Sequence, residues 1–324
     1  MTGRPLGLPE GTPLASENVR YWHRYDDGNS GQGVLVVYTG GTIGSMQRDP
    51  GDPTSPLEVV DWTEFRSRTS SISARLADGR RNPRFIGFNV DGCSVTPVDS
   101  SDIGPEYWVE IATVIAESYD HYVGFVVLHG TDTMVYTASA LSYMLRGLAK
   151  PVILTGAQIP HLQNVRNDAL QNLITALLIA NPAYSGLPVV PEVAVFFHEH
   201  LLRGNRARKV HASGFGAFES PNWPVLGTAG ESIVVHQQNL RSMPAGARLE
   251  ARLSLETNVA AAYLFPGIQS GEVMGHMLAD RNLRGVVLLA YGAGTMPDDE
   301  RLLGAIEAAV RRGVVAVAVT HCGA

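Results

Sequence analysis

Cysteine is scarce in this chain: 324 residues contain only Cys93 and Cys322. Two thiols so far apart make neither a disulfide framework nor a zinc ribbon, and they fit a reducing compartment. Long apolar runs are also missing. No stretch reaches the ~18 uncharged apolar residues that a membrane-spanning helix needs. The first thirty residues carry Arg4, Glu10, Glu17, Arg20, Arg24 and Asp26 and have no signal-peptide core. Positive charge is in deficit, with 25 Lys plus Arg against 31 Asp plus Glu and a formal net charge of −6. That balance argues against a dedicated nucleic-acid or anionic-membrane binder. Internal repeats and low-complexity tracts are absent as well. A cytoplasmic globular protein is the expectation.

What is present is a set of short, Val-rich runs. They are Val34 to Tyr38, Gly124 to Leu128, Pro151 to Leu154, Val193 to Phe197, Gly285 to Ala290 and Val314 to Thr320. Apolar neighbours on both faces are what parallel strands covered on both sides require. Helical patterns lie between them, at Glu106 to Ser118, Thr137 to Leu148, Asp168 to Ile179 and Asp298 to Arg311. Strand and helix alternating in this way predict an α/β fold: a large, doubly wound, mostly parallel N-terminal domain and a smaller C-terminal one. The expected divisions are a polar arm over 1–33, a catalytic domain over 34–228, a linker over 229–260 and a partial α/β domain over 261–324. The last of these looks truncated, because a strong strand is followed only by His321-Cys322-Gly323-Ala324.

Several polar segments follow the strands directly, where open α/β sheets bind ligands. Thr39-Gly40-Gly41-Thr42-Ile43-Gly44 lets backbone approach a ligand closely, although a glycine-rich turn is common and this one lacks the dinucleotide and Walker spacings. His129-Gly130-Thr131-Asp132-Thr133 puts a hydroxyl beside a carboxylate; its plain alternative is a cap for the next helix. Asp99-Ser100-Ser101-Asp102 can cradle a carboxylate, or cap the Glu106 helix. The cations of Arg203 to Lys209 read first as a solvated surface, while a lysine drawn into a site can activate a hydroxyl. His198-Glu199-His200 ends a strand with both histidines on one side, but no third metal ligand is evident. Ser213 lacks the nucleophile elbow of an α/β-hydrolase.

Together, these blocks resemble the signatures of bacterial-type L-asparaginases, in the flavour of the cytoplasmic type I branch. The resemblance rests on Tyr38 to Gly44, Asp99 to Asp102, Leu128 to Met134, Pro151 to Pro160, Arg203 to Lys209 and Phe218 to Asn222, in that order. It implies hydrolysis of L-asparagine to L-aspartate and ammonia, possible minor glutaminase activity, no metal or cofactor, and a homo-oligomer. By position, Thr42 corresponds to the nucleophile. Thr131, Asp132 and Lys209 correspond to a second polar triad, and Asp99, Ser100 and Ser101 to the loop receiving the substrate's α-carboxylate. Direct attack by water is the rival mechanism. Two other readings share the motifs: an amidotransferase-associated relative, and a catalytically weak amino-acid-binding or regulatory homologue. Departures from the family pattern are the lack of tyrosine over Met46 to Thr54, Thr295 where relatives often have asparagine, and the early end of the chain.

Overall fold

The computed structural model describes residues 20–22, 33–49, 52, 55–62, 64–65, 88, 90–160, 166–243, 246, 248–268 and 272–323. Most of the predicted polar arm lies outside them. The chain divides into two compact units, Met1–Leu253 and Ser254–Ala324.

The first unit is built on a nine-stranded sheet. Its strands are β1 (Arg20–Trp22), β2 (Val34–Gly40), β3 (Val90–Val98), β4 (Gly124–Leu128), β5 (Val152–Thr155), β6 (Val193–Phe197), β7 (His200–Arg203), β8 (Gly227–Ala229) and β9 (Ile233–Val235), in the order β1-β3-β2-β4-β5-β6-β7-β8-β9. The central five, β3, β2, β4, β5 and β6, run parallel. Antiparallel strands flank them on both sides. β2, β4 and β6 are buried along their whole length, as strands covered on both faces must be.

Side chains alternate between those faces. Val34, Val36, Tyr38, Val126, Leu128, Ile153, Ala194 and Phe196 join a core that includes Leu173, Ala176 and Leu177 from helix Ala169–Ala180. Their neighbours Leu35, Val37, Phe125 and Val127 are equally buried on the other face. There helices Pro105–Ser118 and Met134–Met144 pack on each other and on the sheet. The doubly wound expectation therefore holds. The Thr137 to Leu148 pattern is shifted, because the helix ends at Met144 and Leu145–Arg146 turns away to pair with Glu250–Ala251. Gly147, at φ +71°, follows that pair, where a Cβ would stand 2.3 Å from the Arg248 carbonyl oxygen.

In the second unit, Val259–Tyr263, Gly285–Ala290 and Val315–Thr320 form a three-stranded parallel sheet. Helices Glu272–Ala279 and Glu300–Arg311 pack on it through Met274, Leu278 and Leu302, against Ala262, Val286 and Leu288. The Asp299 carboxylate caps the second helix by accepting from the Arg301 and Leu302 amides. The segment expected to be a linker contributes to structure on both sides: Ile233–Val235 closes the large sheet, and Val259 opens the small one. Ile233-Val234-Val235 is simply too short to register as a strand among polar neighbours. No helix among the described residues is long and apolar enough to cross a membrane.

Candidate active site

Every candidate site residue falls in the first unit, and all but Lys209 lie on loops that leave the carboxyl ends of parallel strands. β2 runs into Gly40 and Gly41 at φ +95° and +79°, a region open to glycine at little cost. A Cβ on Gly41 would stand 2.4 Å from the backbone of Gly130, and one on Gly130 would stand 2.5 Å from the Ser100 side chain. These two glycines let the turns after β2, β3 and β4 converge. Thr42 opens a single 3₁₀ turn, Thr42–Gly44, next to that convergence. It is partly buried, and its hydroxyl bonds to no described residue.

The turn after β3 is held by Asp99. Its Oδ1 accepts from the Ser101 amide at 2.8 Å and the Ser101 hydroxyl at 2.7 Å. These two bonds favour the ionised form and hold the Asp99 carboxyl below the usual aspartate range. The cap reading is half right: Asp99 caps the short turn Ser100–Asp102, whereas the following helix starts at Pro105 behind Gly104. Ser100 is buried, and its carbonyl accepts from the Thr133 hydroxyl at 2.6 Å. Thr133 therefore ties two loops together and makes no side-chain cap to helix Met134–Met144.

On the turn after β4, the Lys209 ammonium donates to Thr131 Oγ1 at 2.8 Å and to Asp132 Oδ1 at 2.6 Å. Lys209 reaches in from the short strand Arg208–Lys209, paired to Phe218–Glu219. Its side chain is 17% exposed and that of Asp132 68% exposed. The lysine is thus nearly enclosed, while the carboxylate faces outward and can meet a ligand. The Thr131 hydroxyl is left to donate to Gln158 Oε1, at 3.3 Å.

Behind this turn stands a buried chain that the sequence did not announce. The His129 ring faces the Gly130 carbonyl through Nδ1 at 2.7 Å, so Nδ1 carries the proton and donates. Nε2 then accepts from the Thr137 hydroxyl at 2.8 Å, and Thr137 accepts from the Trp108 indole at 3.0 Å. Burial pulls the His129 pKa down from 6.5 to about 4. The unfolded chain therefore binds a proton as pH falls below 6.5, which the folded state takes up only near 4. The stability contributed by neutral His129 is complete above pH 6.5 and is lost between those values, by at most about 3 kcal/mol. Melting temperatures measured across that window should fall more steeply for the wild type than for His129→Gln.

Two sequence readings need correction. Arg203 is no solvated cation: it is buried, donates to both Glu192 oxygens at 2.6 and 3.1 Å, and lies 4.5 Å from the Trp223 ring centre. Glu192, on the approach to β6, supplied no signal of its own. His198 sits in the β6–β7 hairpin turn at φ +57°, so strand alternation does not align it with His200. Among the described residues no three His, Cys, Asp or Glu side chains group as a metal site. Tyr38 is buried, and its hydroxyl donates to the Val60 carbonyl at 2.8 Å and the Gly44 carbonyl at 3.2 Å. It braces the turn from beneath and is turned to the core.

Comparison with known proteins follows the same division. The asparaginase N-terminal family model matches residues 33–241, and the glutaminase/asparaginase C-terminal domain model matches 258–324. The chain is 38% identical to L-asparaginase 1 of Escherichia coli, over 89% of this chain and 79% of that one. The crystal structure of L-asparaginase I from Vibrio cholerae superposes with a TM-score of 0.75 at 38% identity, covering 90% of this chain and 81% of that one. The human 60 kDa lysophospholipase is 40% identical over 89% of this chain, which spans half the length of that relative.

Proposed function

The chain belongs to the asparaginase family, and from that premise we propose that it hydrolyses L-asparagine to L-aspartate and ammonia through Thr42. One observation supports the reading above others. Lys209, Thr131 and Asp132 form a bonded cluster on the turn whose Gly130 abuts Gly41, next to Thr42.

The chemistry follows from what each group can do. The Thr42 hydroxyl adds to the side-chain amide carbon, and its proton passes through the cluster to the amide nitrogen. Backbone N–H groups of the glycine turns receive the oxyanion, each such donor typically contributing about 3–4 kcal/mol. The C–N bond breaks, ammonia leaves, and an aspartyl ester remains on Thr42. Water then adds to the ester near Thr131, gives a proton back to the Thr42 oxygen, and releases aspartate. A threonine hydroxyl needs such a relay because it is a weak nucleophile at neutral pH. Asp132 pairs with the substrate ammonium, and the Asp99–Ser101 turn receives the α-carboxylate through the Ser100 hydroxyl, the Ser101 hydroxyl and amide being held by Asp99. A charged amino-acid head suits these groups better than the acyl chain of a lysophospholipid.

Side-by-side assays with L-asparagine, L-glutamine and lysophosphatidylcholine test the reading. We expect ammonia mainly from L-asparagine, with L-glutamine weaker, since one methylene separates them by about 1–3 kcal/mol. Fatty-acid release without ammonia would refute it. The protein is further expected to work in the cytoplasm as a homo-oligomer, which sedimentation of the purified protein would read.

A further inference from the structure

Gln158 joins two parts of the candidate site. Its Oε1 accepts from the Thr131 hydroxyl at 3.3 Å, and its Nε2 donates to the carbonyls of Ala212 at 3.3 Å and Gly214 at 3.0 Å, just beyond Lys209. The backbone beneath it rests on one buried carboxylate. Asp168 accepts the Gln158 amide through Oδ1 at 3.1 Å and Oδ2 at 3.0 Å, and the Ile159 amide through Oδ1 at 3.1 Å. Asn172 Nδ2 adds a further bond to Oδ2 at 3.3 Å, and also donates to the Gly156 carbonyl at 2.9 Å. Asp168 is 7% exposed.

We propose that Asp168 is a positioning residue for the reaction, acting on Thr131 through Gln158. This rests on the asparaginase reading of the site. The Thr131 oxygen receives an N–H from Lys209 on one side and gives its own proton to Gln158 on the other. Those two bonds together fix the rotation of the hydroxyl. Gln158 can hold its side only if the turn carrying it is fixed, and here two successive amides converge on one acceptor. A carboxylate meets both amides and Asn172 because it offers only acceptors. Its amide counterpart would turn an NH₂ group toward at least one of these donors.

The test compares wild type, Asp168→Asn and Gln158→Met. Asn181→Ala, which removes the side-chain acceptor for the Tyr184 amide elsewhere in the unit, is the stability control. In Asp168→Asn, kcat for L-asparagine should fall roughly ten- to hundredfold, the cost of a small misplacement. KM should stay within about twofold, because Asp132 and the Asp99–Ser101 turn are untouched. Gln158→Met should give the same split, and it decides the matter if Asp168→Asn does not fold. Asn181→Ala should lower the melting temperature and leave kcat near wild type. The proposal is overturned if wild type turns over L-asparagine and both site variants keep its kcat, or if kcat falls only as melting temperature does across all variants. A folded wild type releasing no ammonia would instead remove the asparaginase reading, and this role with it.

Discussion

Thr42→Ala is expected to lower kcat/KM for L-asparagine about 10³-fold or more, the loss typical when a nucleophile is removed. In barrier terms that is at least about 4 kcal/mol. Stability should hardly change. The Thr42 hydroxyl bonds to no described residue, so its removal orphans no described partner. A partly buried hydroxyl with no described partner leaves no polar group unsatisfied when removed, so the cost should stay below about 1 kcal/mol. Ammonia release and thermal melting of the same preparation check both halves. If direct attack by water carried the reaction, Thr42→Ala would retain a large part of the rate, and the ester intermediate would be abandoned.

Lys209→Met is the second large effect. Methionine nearly matches the lysine in length but has no charge or N–H, so both the Thr131 and Asp132 bonds are lost. The expected fall in kcat is about 10²–10⁴, the range of positioned proton transfer. KM should rise less, because Asp132 is largely exposed and stays open to the substrate ammonium. Steady-state kinetics separate the two parameters. A rise in KM with kcat unchanged would make Lys209 a substrate-binding group and leave the relay without its cation.

Much of this site could be read from the chain because parallel strands place their chemistry at one end. Val34 to Tyr38 and Gly124 to Leu128 are apolar runs broken abruptly by Gly-Gly-Thr and His-Gly-Thr-Asp, and the break marks the turn that carries the candidate residues. Other residues gave no such mark. Gln158 lies inside a matched block and Asp168 at the start of a helical pattern, but nothing local gives either a role, because they meet through one another and through Thr131, partners up to 27 residues away. His129 looked like part of a motif, yet its ring points inward to Thr137. Arg203 was misread for the same reason: four cations in seven residues suggest solvent, and only the fold brings Glu192 to the first of them. Composition and period report what a stretch buries. They do not report which distant polar group it meets.

The folded geometry also bears on the lack of tyrosine over Met46 to Thr54. Tyr38 cannot substitute for it, since its hydroxyl is committed to the Gly44 and Val60 carbonyls. On the proposed reading, activation of Thr42 then rests with the Thr131–Asp132–Lys209 cluster.

The most direct measurement is ammonia and aspartate formation by the purified, folded wild type given L-asparagine. The account predicts both products in equal amounts, at a rate that Thr42→Ala abolishes. L-Asparagine bound without either product, by a protein whose fold is intact, would contradict it and leave an amino-acid-binding protein in place of an enzyme.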